Sequence, residues 1–397
     1  MYRIVDLNNK ERFAKPVILS KEKLESAAAL AVARVEKAID KFGADNMLTY
    51  AGGSFDTYTA TKDVTWTTGM WTGVCWLAYE LTGNDKFRQA AESQLPHYYR
   101  AAQHPEELND HDTGFKFIPS CLAAYKITGN QDARMAGLIA AQVQLDHFCQ
   151  VNKFIIRGGM GRPEEYNGYR TLVDSMMNIP LFFWAYEETG RQEFYDAAVG
   201  HYKTTAKYLI REDGSSFHHY QFDPVTKEPV RGLTFQGNRD ESCWSRGHSW
   251  LLYGYPLAYK ATKDPETIDI HKSVSYFFMD HLPSDGIPYW DFDFNDGSFE
   301  PRDSSAAAVA TCGLLEMCKY LPETAEQKQY FRNAAAIMLE ALIDKSATKR
   351  EDKDSLLSYI TIARPMGIGV DVCETYGDYF YLEALVRALK PEIKMFW

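Results

Sequence analysis

The sequence predicts an all-α fold, an (α/α)6 barrel of six helical hairpins closed into a toroid, with small β-hairpins in the long loops. Three observations predict it. A phrase, Tyr-x-x-Thr-Gly, recurs at the ends of apolar helical segments; the helices flanking it alternate between apolar all round and more charged; and the connections alternate between short and long.

The phrase stands in residues 76–87 (WLAYELTGNDKF), 122–133 (LAAYKITGNQDA) and 183–194 (FWAYEETGRQEF). A weaker copy is 256–266 (PLAYKATKDPE), and a divergent one ends at Tyr320-Leu321-Pro322-Glu323. In each, an apolar helix ends, Gly supplies a left-handed residue or Pro a stop, and a polar residue opens the next helix. Extension from these turns with a 3.6-residue period gives twelve helices. Helix 21–42 comes first, unpaired. The hairpins are 68–82 with 85–102, 113–128 with 131–149, 174–189 with 192–211, 247–262 with 266–282, and 303–320 with 324–345. Helix 376–389 then closes the ring against 21–42. The first helix of a hairpin is apolar on all sides (MWTGVCWLAYEL, SMMNIPLFFWAYEE, SAAAVATCGLLEMC) and belongs inside; the second carries more charge (DKFRQAAESQ, QEFYDAAVGHY, EQKQYFRNAAAIM) and belongs outside. The connections between hairpins, 103–112, 150–173, 212–246, 283–302 and 346–375, are long, gather at one end and build the site there. Within them FHHYQF and GIPYWDFDF alternate as short β-hairpins do. The 397 residues thus give about 66 to each hairpin and read as one domain, 1–397, instead of the two or three that length alone suggests.

Composition narrows the function. With 45% hydrophobic and 24% charged residues the chain is neither disordered nor fibrous. No stretch approaches the ~18 uninterrupted apolar residues of a membrane span, and Met1 to Lys10 is polar and mixed in charge, unlike a signal peptide. The expectation is a cytoplasmic protein, a monomer or weak dimer, that binds no membrane. A net charge of −11 argues against nucleic acid as a partner. It also sets a tension, because an anionic ligand must then be held by a few local Arg and Lys. Seven scattered Cys (75, 121, 149, 243, 312, 318, 373) show no C-x-x-C spacing and are expected to be buried thiols. No metal and no cofactor is expected. H-E-x-x-H, EF-hand and G-x-S-x-G patterns are missing, His111 beside Asp112 lacks partners at ligand spacing, and Arg157-Gly158-Gly159-Met160-Gly161-Arg162 lacks P-loop spacing.

In such a toroid the ligand lies where the inner helices begin, and the residues there are polar and aromatic. Asp112, Asp174 and Asp303 all sit at helix starts, where Asp is common as a cap. Asp303-Ser304-Ser305, running straight into an Ala-rich helix, reads as a cap. Asp112 and Asp174 fall on neighbouring inner helices beside His111 and Arg170, which orient and shift carboxylates. A carboxyl pair facing one cavity is the usual apparatus for acid–base work on sugars. Trp66, Trp71, Trp244, Trp250 and Trp290, five of the eight Trp, crowd the same helix starts, where sugar faces stack. Arg246 and Gln236 offer forked donors for a carboxylate, although Arg246 could equally pair with a structural Asp. His218 and His219, on an expected strand edge, could bond hydroxyls.

These residues resemble the unsaturated glucuronyl hydrolases, glycoside hydrolase family 88, over nearly the whole length. The resemblance rests on W-T-x-G-x-W-x-G (Trp66 to Gly73), H-D-x-G-F (His111 to Phe115), D-x-x-x-N-x-P-L (Asp174 to Leu181) and R-G-x-T-x-Q-G-N (Arg231 to Asn238). It continues through W-x-R-G-x-x-W (Trp244 to Trp250), Y-W-D-F (Tyr289 to Phe292), R-D-S-S-A (Arg302 to Ala306) and G-D-Y-x-Y-L-E-A-L (Gly377 to Leu385). It implies an enzyme that removes the 4,5-unsaturated uronic acid left at the non-reducing end of glycosaminoglycan fragments by lyases. A carboxylic acid protonates C4 of the vinyl ether, water adds at C5, and the hemiketal opens and expels the remaining sugar. The resemblance gives Asp174 the acid and base role, gives Asp112 a supporting role on the ring hydroxyls, and assigns binding to Trp66, His218, Gln236, Trp244, Arg246, Trp250 and Tyr359. The alternatives are an unsaturated rhamnogalacturonyl hydrolase acting on pectin fragments, a classical inverting glycosidase, and a non-catalytic sugar-binding toroid. In the streptococcal branch, preference for sulfated fragments goes with Ser and Lys in the last long loop. Here that loop reads Ala363-Arg364-Pro365-Met366-Gly367-Ile368-Gly369-Val370, which argues against a sulfate preference drawn from it.

Overall fold

The computed structural model describes residues 3–51, 54–157 and 168–397. Of the glycine-rich run weighed as a phosphate loop, residues 158–162 lie outside the described residues. Helices α1 (Lys10–Ala14) and α2 (Lys21–Phe42) and strands β1 (Met47–Ala51) and β2 (Ser54–Thr61) precede the ring. The first hairpin is α3 (Trp66–Thr82) with α4 (Asp85–Gln103). In the second, α5 (Thr113–Phe117), a π turn (Ile118–Leu122) and α6 (Ala123–Thr128) form one column that returns as α7 (Gln131–Asp146). Strands β3 (Phe148–Cys149), β4 (Phe154–Ile155) and β5 (Arg170–Leu172) and a 3-10 turn (Val173–Met177) lead into the pair α8 (Ile179–Thr189) and α9 (Gln192–Tyr208). After β6 (His219–Phe222) and β7 (Pro229–Leu233) come α10 (Ser245–Thr262) with α11 (Glu266–Asp280), α12 (Ser304–Cys318) with α13 (Glu326–Ala341), and finally α14 (Thr375–Leu389). The inner helices α3, α5, α8, α10, α12 and α14 pack each on the next, α14 returns to α3, and α2 packs on α14 from outside. This is the expected ring, and it forms because the inner helices are buried almost all round. All seven cysteines are free and buried.

The recurring phrase has a specific mechanism. Thr82, Thr128, Thr189 and Thr262 each donate their hydroxyl to the carbonyl four residues back, at 2.6–2.8 Å, on Ala78, Ala124, Ala185 and Ala258. The following Gly83, Gly129 and Gly190 take left-handed φ of 70°, 73° and 71°, and each donates its N–H to the Tyr carbonyl. In the weaker copy Lys263 adopts the same conformation at φ 58°. The Thr caps the last turn while glycine reverses the chain without a Cβ penalty.

Departures from the expected boundaries have local causes. The column 113–128 is interrupted by the π turn at Pro119, which has no N–H to donate to the ladder. Helix 174–189 starts five residues late, because Pro180 suits the first turn of α8 and the preceding residues wind into the 3-10 turn. Residues 148–149 leave the helix 131–149 to pair with 154–155, and the outer helix 324–345 ends in a π turn at 342–346. The stretch FHHYQF does supply a strand, the centre of a β5-β6-β7 sheet. GIPYWDFDF forms no hairpin and makes only the single bridges Trp244↔Asp291 and Tyr289↔Arg302. The β1-β2 hairpin was not expected, although alternating runs around Gly52-Gly53 carry that signal.

Candidate active site

The connections between hairpins enclose a cavity of about 530 Å3 at the mouth of the ring, a volume suited to a disaccharide. Asp112 and Asp174 stand together in its wall with their side chains 19% and 17% exposed, so solvent and ligand reach both. Neither acts as a cap. Asp112 occupies the N-cap position of α5 and Asp174 the first turn of the 3-10 segment, but neither side chain makes a cap hydrogen bond, whereas Asp303 accepts the N–H of Ser305 at 3.1 Å. The cap reading therefore holds for Asp303 alone of the three.

Asn178, at the start of α8, ties together the backbone segments that carry the two carboxyls. Its Oδ1 accepts the N–H of Phe115 at 3.0 Å, its Nδ2 donates to the backbone carbonyl of Asp174 at 3.4 Å, and its side-chain dipole weakly lowers the Asp112 pKa. The approach is possible because residue 114 is glycine: a Cβ there would stand 2.6 Å from Asn178 Cα and 2.7 Å from its Oδ1. Gly114→Ala is accordingly expected to destabilise the fold by about 1–3 kcal/mol and to lower kcat by parting α5 from α8. Thermal melting with steady-state kinetics checks this, and a variant with unchanged kcat would show that the spacing is immaterial.

Burial raises both carboxyl pKa values. Asp112 is pushed up to about 7, first by burial and then by the negative charge of Asp110; Lys116 and Arg157 act against this. Asp110 is fixed in place by Lys116 Nζ at 2.6 Å. Asp174 is pushed up to about 6 by burial, with His111 opposing and Asp112 reinforcing the shift. The two are distinguished by their contacts. Asp174 Oδ2 is buried without a hydrogen-bond partner and lies 3.8 Å from His218 Nε2, itself without one. His218 stays neutral, because burial lowers its pKa well below the ordinary value, and its Nδ1 accepts the N–H of Phe235 at 3.2 Å. Two buried, unsatisfied polar atoms facing one cavity are costly unless a ligand completes them.

The other expected site residues divide. Trp66, Trp244 and Trp250 line the cavity; Trp66 stacks on Tyr376 at 4.8 Å, Trp244 lies 4.7 Å from His218, and Trp250 Nε1 has no partner. Trp71 is instead buried in the core, and Trp290 donates Nε1 to Glu300 at 3.0 Å, away from the cavity. His219 is fully buried beneath Phe235, at 4.5 Å, and does not reach the cavity. Gln236 lines it but donates Nε2 to the Ile362 carbonyl at 2.8 Å. Arg246 also lines it, with much of its fork already engaged. Nη1 reaches Asp303 Oδ2 and the Thr361 carbonyl at 2.6 Å each, and Nη2 the Ile362 carbonyl at 2.9 Å. The pairing with a structural Asp, open at the level of sequence, is thus present. Tyr359 is half exposed and outside the cavity wall; its carbonyl accepts the N–H of Ser304 at 3.0 Å. Sequence reasoning missed Phe235 and Arg157 as wall residues. No periodic signal marks either, because a loop residue's neighbours depend on how β6 and β7 pair.

Residues 38–384 match the family model described as Glycosyl Hydrolase Family 88. The chain is 39% identical to the unsaturated chondroitin disaccharide hydrolase of Streptococcus pneumoniae, over 99% of this chain and 98% of that one. Among solved structures, the unsaturated glucuronyl hydrolase of Streptococcus agalactiae superposes with a TM-score of 0.94 at 36% identity, covering 100% of this chain and 99% of that one. A mutant of that enzyme complexed with dGlcA-GalNAc6S superposes with a TM-score of 0.87 at 34% identity and the same coverage.

Proposed function

The chain belongs to glycoside hydrolase family 88, and from that premise we propose that Asp174 is the acid with which it hydrates a 4,5-unsaturated uronic acid. The enzyme is a glycoside hydrolase of the unsaturated glucuronyl hydrolase type, acting on glycosaminoglycan fragments. The proton goes from Asp174 to C4 of the vinyl ether, and positive charge develops at C5 and the ring oxygen. Water then adds at C5 and returns its proton to the Asp174 carboxylate. The C5 hemiketal opens by breaking its bond to the ring oxygen, and the resulting hemiacetal at C1 releases the remaining sugar. Asp112 bonds the ring hydroxyls and shares the proton of the pair, and whenever Asp112 is ionised its charge favours the acid form of Asp174. Trp66, Trp244 and Trp250 supply apolar faces.

One observation carries this assignment: Asp174 Oδ2 is buried, unpartnered and raised to about 6. Carbon is a poor proton acceptor, so its acid must still be protonated near neutrality and must have no competing acceptor for its O–H. The pH dependence follows with a definite sign. The acid form is lost as pH rises, so kcat is expected to hold below about 6 and fall roughly tenfold per pH unit once the pair has given up its proton, above about 7. Loss of double-bond absorbance from an unsaturated chondroitin disaccharide, followed from pH 4 to 8, measures it. A limb near 4, where an ordinary Asp titrates, would sink the assignment. The enzyme acts as a monomer or weak dimer in a reducing, cytoplasmic setting, and the seven free buried thiols support the reducing setting. No helix among the described residues is long and apolar enough to cross a membrane.

A further inference from the structure

Three arginines line the cavity, and their charges are not equally offset. Arg246 pairs with buried Asp303 at 2.6 Å. Arg157 and Arg170 have no ion pair among the described residues. Both guanidinium groups lie over the ring of Phe235, with their central carbons 5.6 and 4.1 Å from its centroid. The Arg157 N–H also joins the Arg170 carbonyl at 3.3 Å, so the two share one stretch of wall. Arg170 is buried, at 4% exposed, and its Nε is a buried donor without an acceptor; Arg157 is exposed at the rim. Burial, and after it the charge of Arg157, lowers the Arg170 pKa to about 10. Two like charges held together without a counter-charge among the described residues, one of them desolvated, are unfavourable until an anion arrives.

The pole and Arg246 differ in the carboxyl they act on. Arg157 acts on Asp112 and His111 and Arg170 on His218, while Arg246 is the arginine whose charge acts most on Asp174. With C4=C5 at Asp174, the carboxylate borne by C5 falls toward Arg246, and the Arg157–Arg170 pole faces another part of the substrate. The last long loop offers that part no cation, for it contributes Ala363, Met366 and Ile368 to the cavity and commits Arg364 to Glu300 at 3.2 Å. We propose that Arg157 and Arg170 form a subsite for a sulfate ester of the substrate, so that sulfated unsaturated disaccharides are favoured over unsulfated ones. The proposal rests on the hydration reading above and deepens it.

The test compares kcat/KM for unsaturated chondroitin disaccharides without sulfate and with sulfate at each single position. Turnover of the unsulfated compound tests the hydration reading by itself, and if it and every sulfated compound are inert, the subsite falls with that reading. Given turnover, at least one sulfated compound is expected to exceed the unsulfated one. Arg157→Ala, a rim substitution that spares the core, is expected to lower that ratio about tenfold, and Arg157→Lys to retain most of it. Preference of the wild-type enzyme for the unsulfated compound over every sulfated one would overturn the proposal. So would an Arg157→Ala loss of equal size on both compounds, which would mean that the pole holds the uronate carboxylate.

Discussion

Asp174→Asn lowers kcat by roughly 10²–10⁴-fold, the range of a lost general acid, while substrate affinity stays within a few-fold. The amide keeps the shape of the carboxyl but has no proton to give to carbon. The same substitution leaves the fold intact or strengthens it, and the sign can be worked out. The folded Asp174 pKa is raised from 3.8 to about 6, so the folded state holds its proton more tightly than the unfolded chain. Above pH 3.8 ionisation therefore progressively disfavours folding, and the full penalty, of the order of 1–3 kcal/mol, is present above pH 6. Asparagine removes it. At pH 8 the variant is expected to melt no lower than the wild type, and near pH 3.5 the difference vanishes. An inactive variant that also melts well below the wild type at pH 8 would mean that Asp174 is a structural carboxylate.

Asp303→Asn acts on the cavity through Arg246. Asparagine still caps α12, so the substitution removes the ion pair and little else. Arg246 is 2% exposed and Asp303 completely buried. Removing one partner of a buried pair leaves the other charge desolvated, a loss of about 3–5 kcal/mol. Arg246 also grips the Thr361 and Ile362 carbonyls, so the loop bearing Ala363, Met366 and Ile368 loosens and KM rises. Chemical denaturation with a KM determination checks both halves, and a loss below about 1 kcal/mol with unchanged KM would contradict the role given to the pair.

The ring was legible in the sequence because its information is local. The Thr hydroxyl and the left-handed residue at four of the hairpin turns act within five residues, and the all-round apolar helices declare their own burial. The barrel mouth was legible only in part. Asp112 and Asp174 could be singled out beside Asp303, yet nothing local shows that the first two lack cap bonds and the third has one. That difference depends on Asn178 and Pro180 drawing the start of α8 away from Asp174. Among the tryptophans, Trp71 lies one and a half turns inside α3 and points into the core, whereas Trp66 opens the helix at the cavity. The tension between an acidic chain and an anionic ligand also had no local solution. Asp303, 57 residues beyond Arg246, offsets that charge, and β5 brings Arg170 beside Arg157 across a connection of a dozen residues.

The account stands on proton delivery to C4, and the most direct measurement is the reaction of an unsaturated chondroitin disaccharide in deuterium oxide, followed by NMR at early times. Hydration predicts that the vinyl H4 signal disappears in step with release of the amino sugar and that C4 acquires one deuteron. Release of an unsaturated uronic acid that keeps its vinyl proton and carries no deuterium would contradict it, because it would show protonation of the glycosidic oxygen instead.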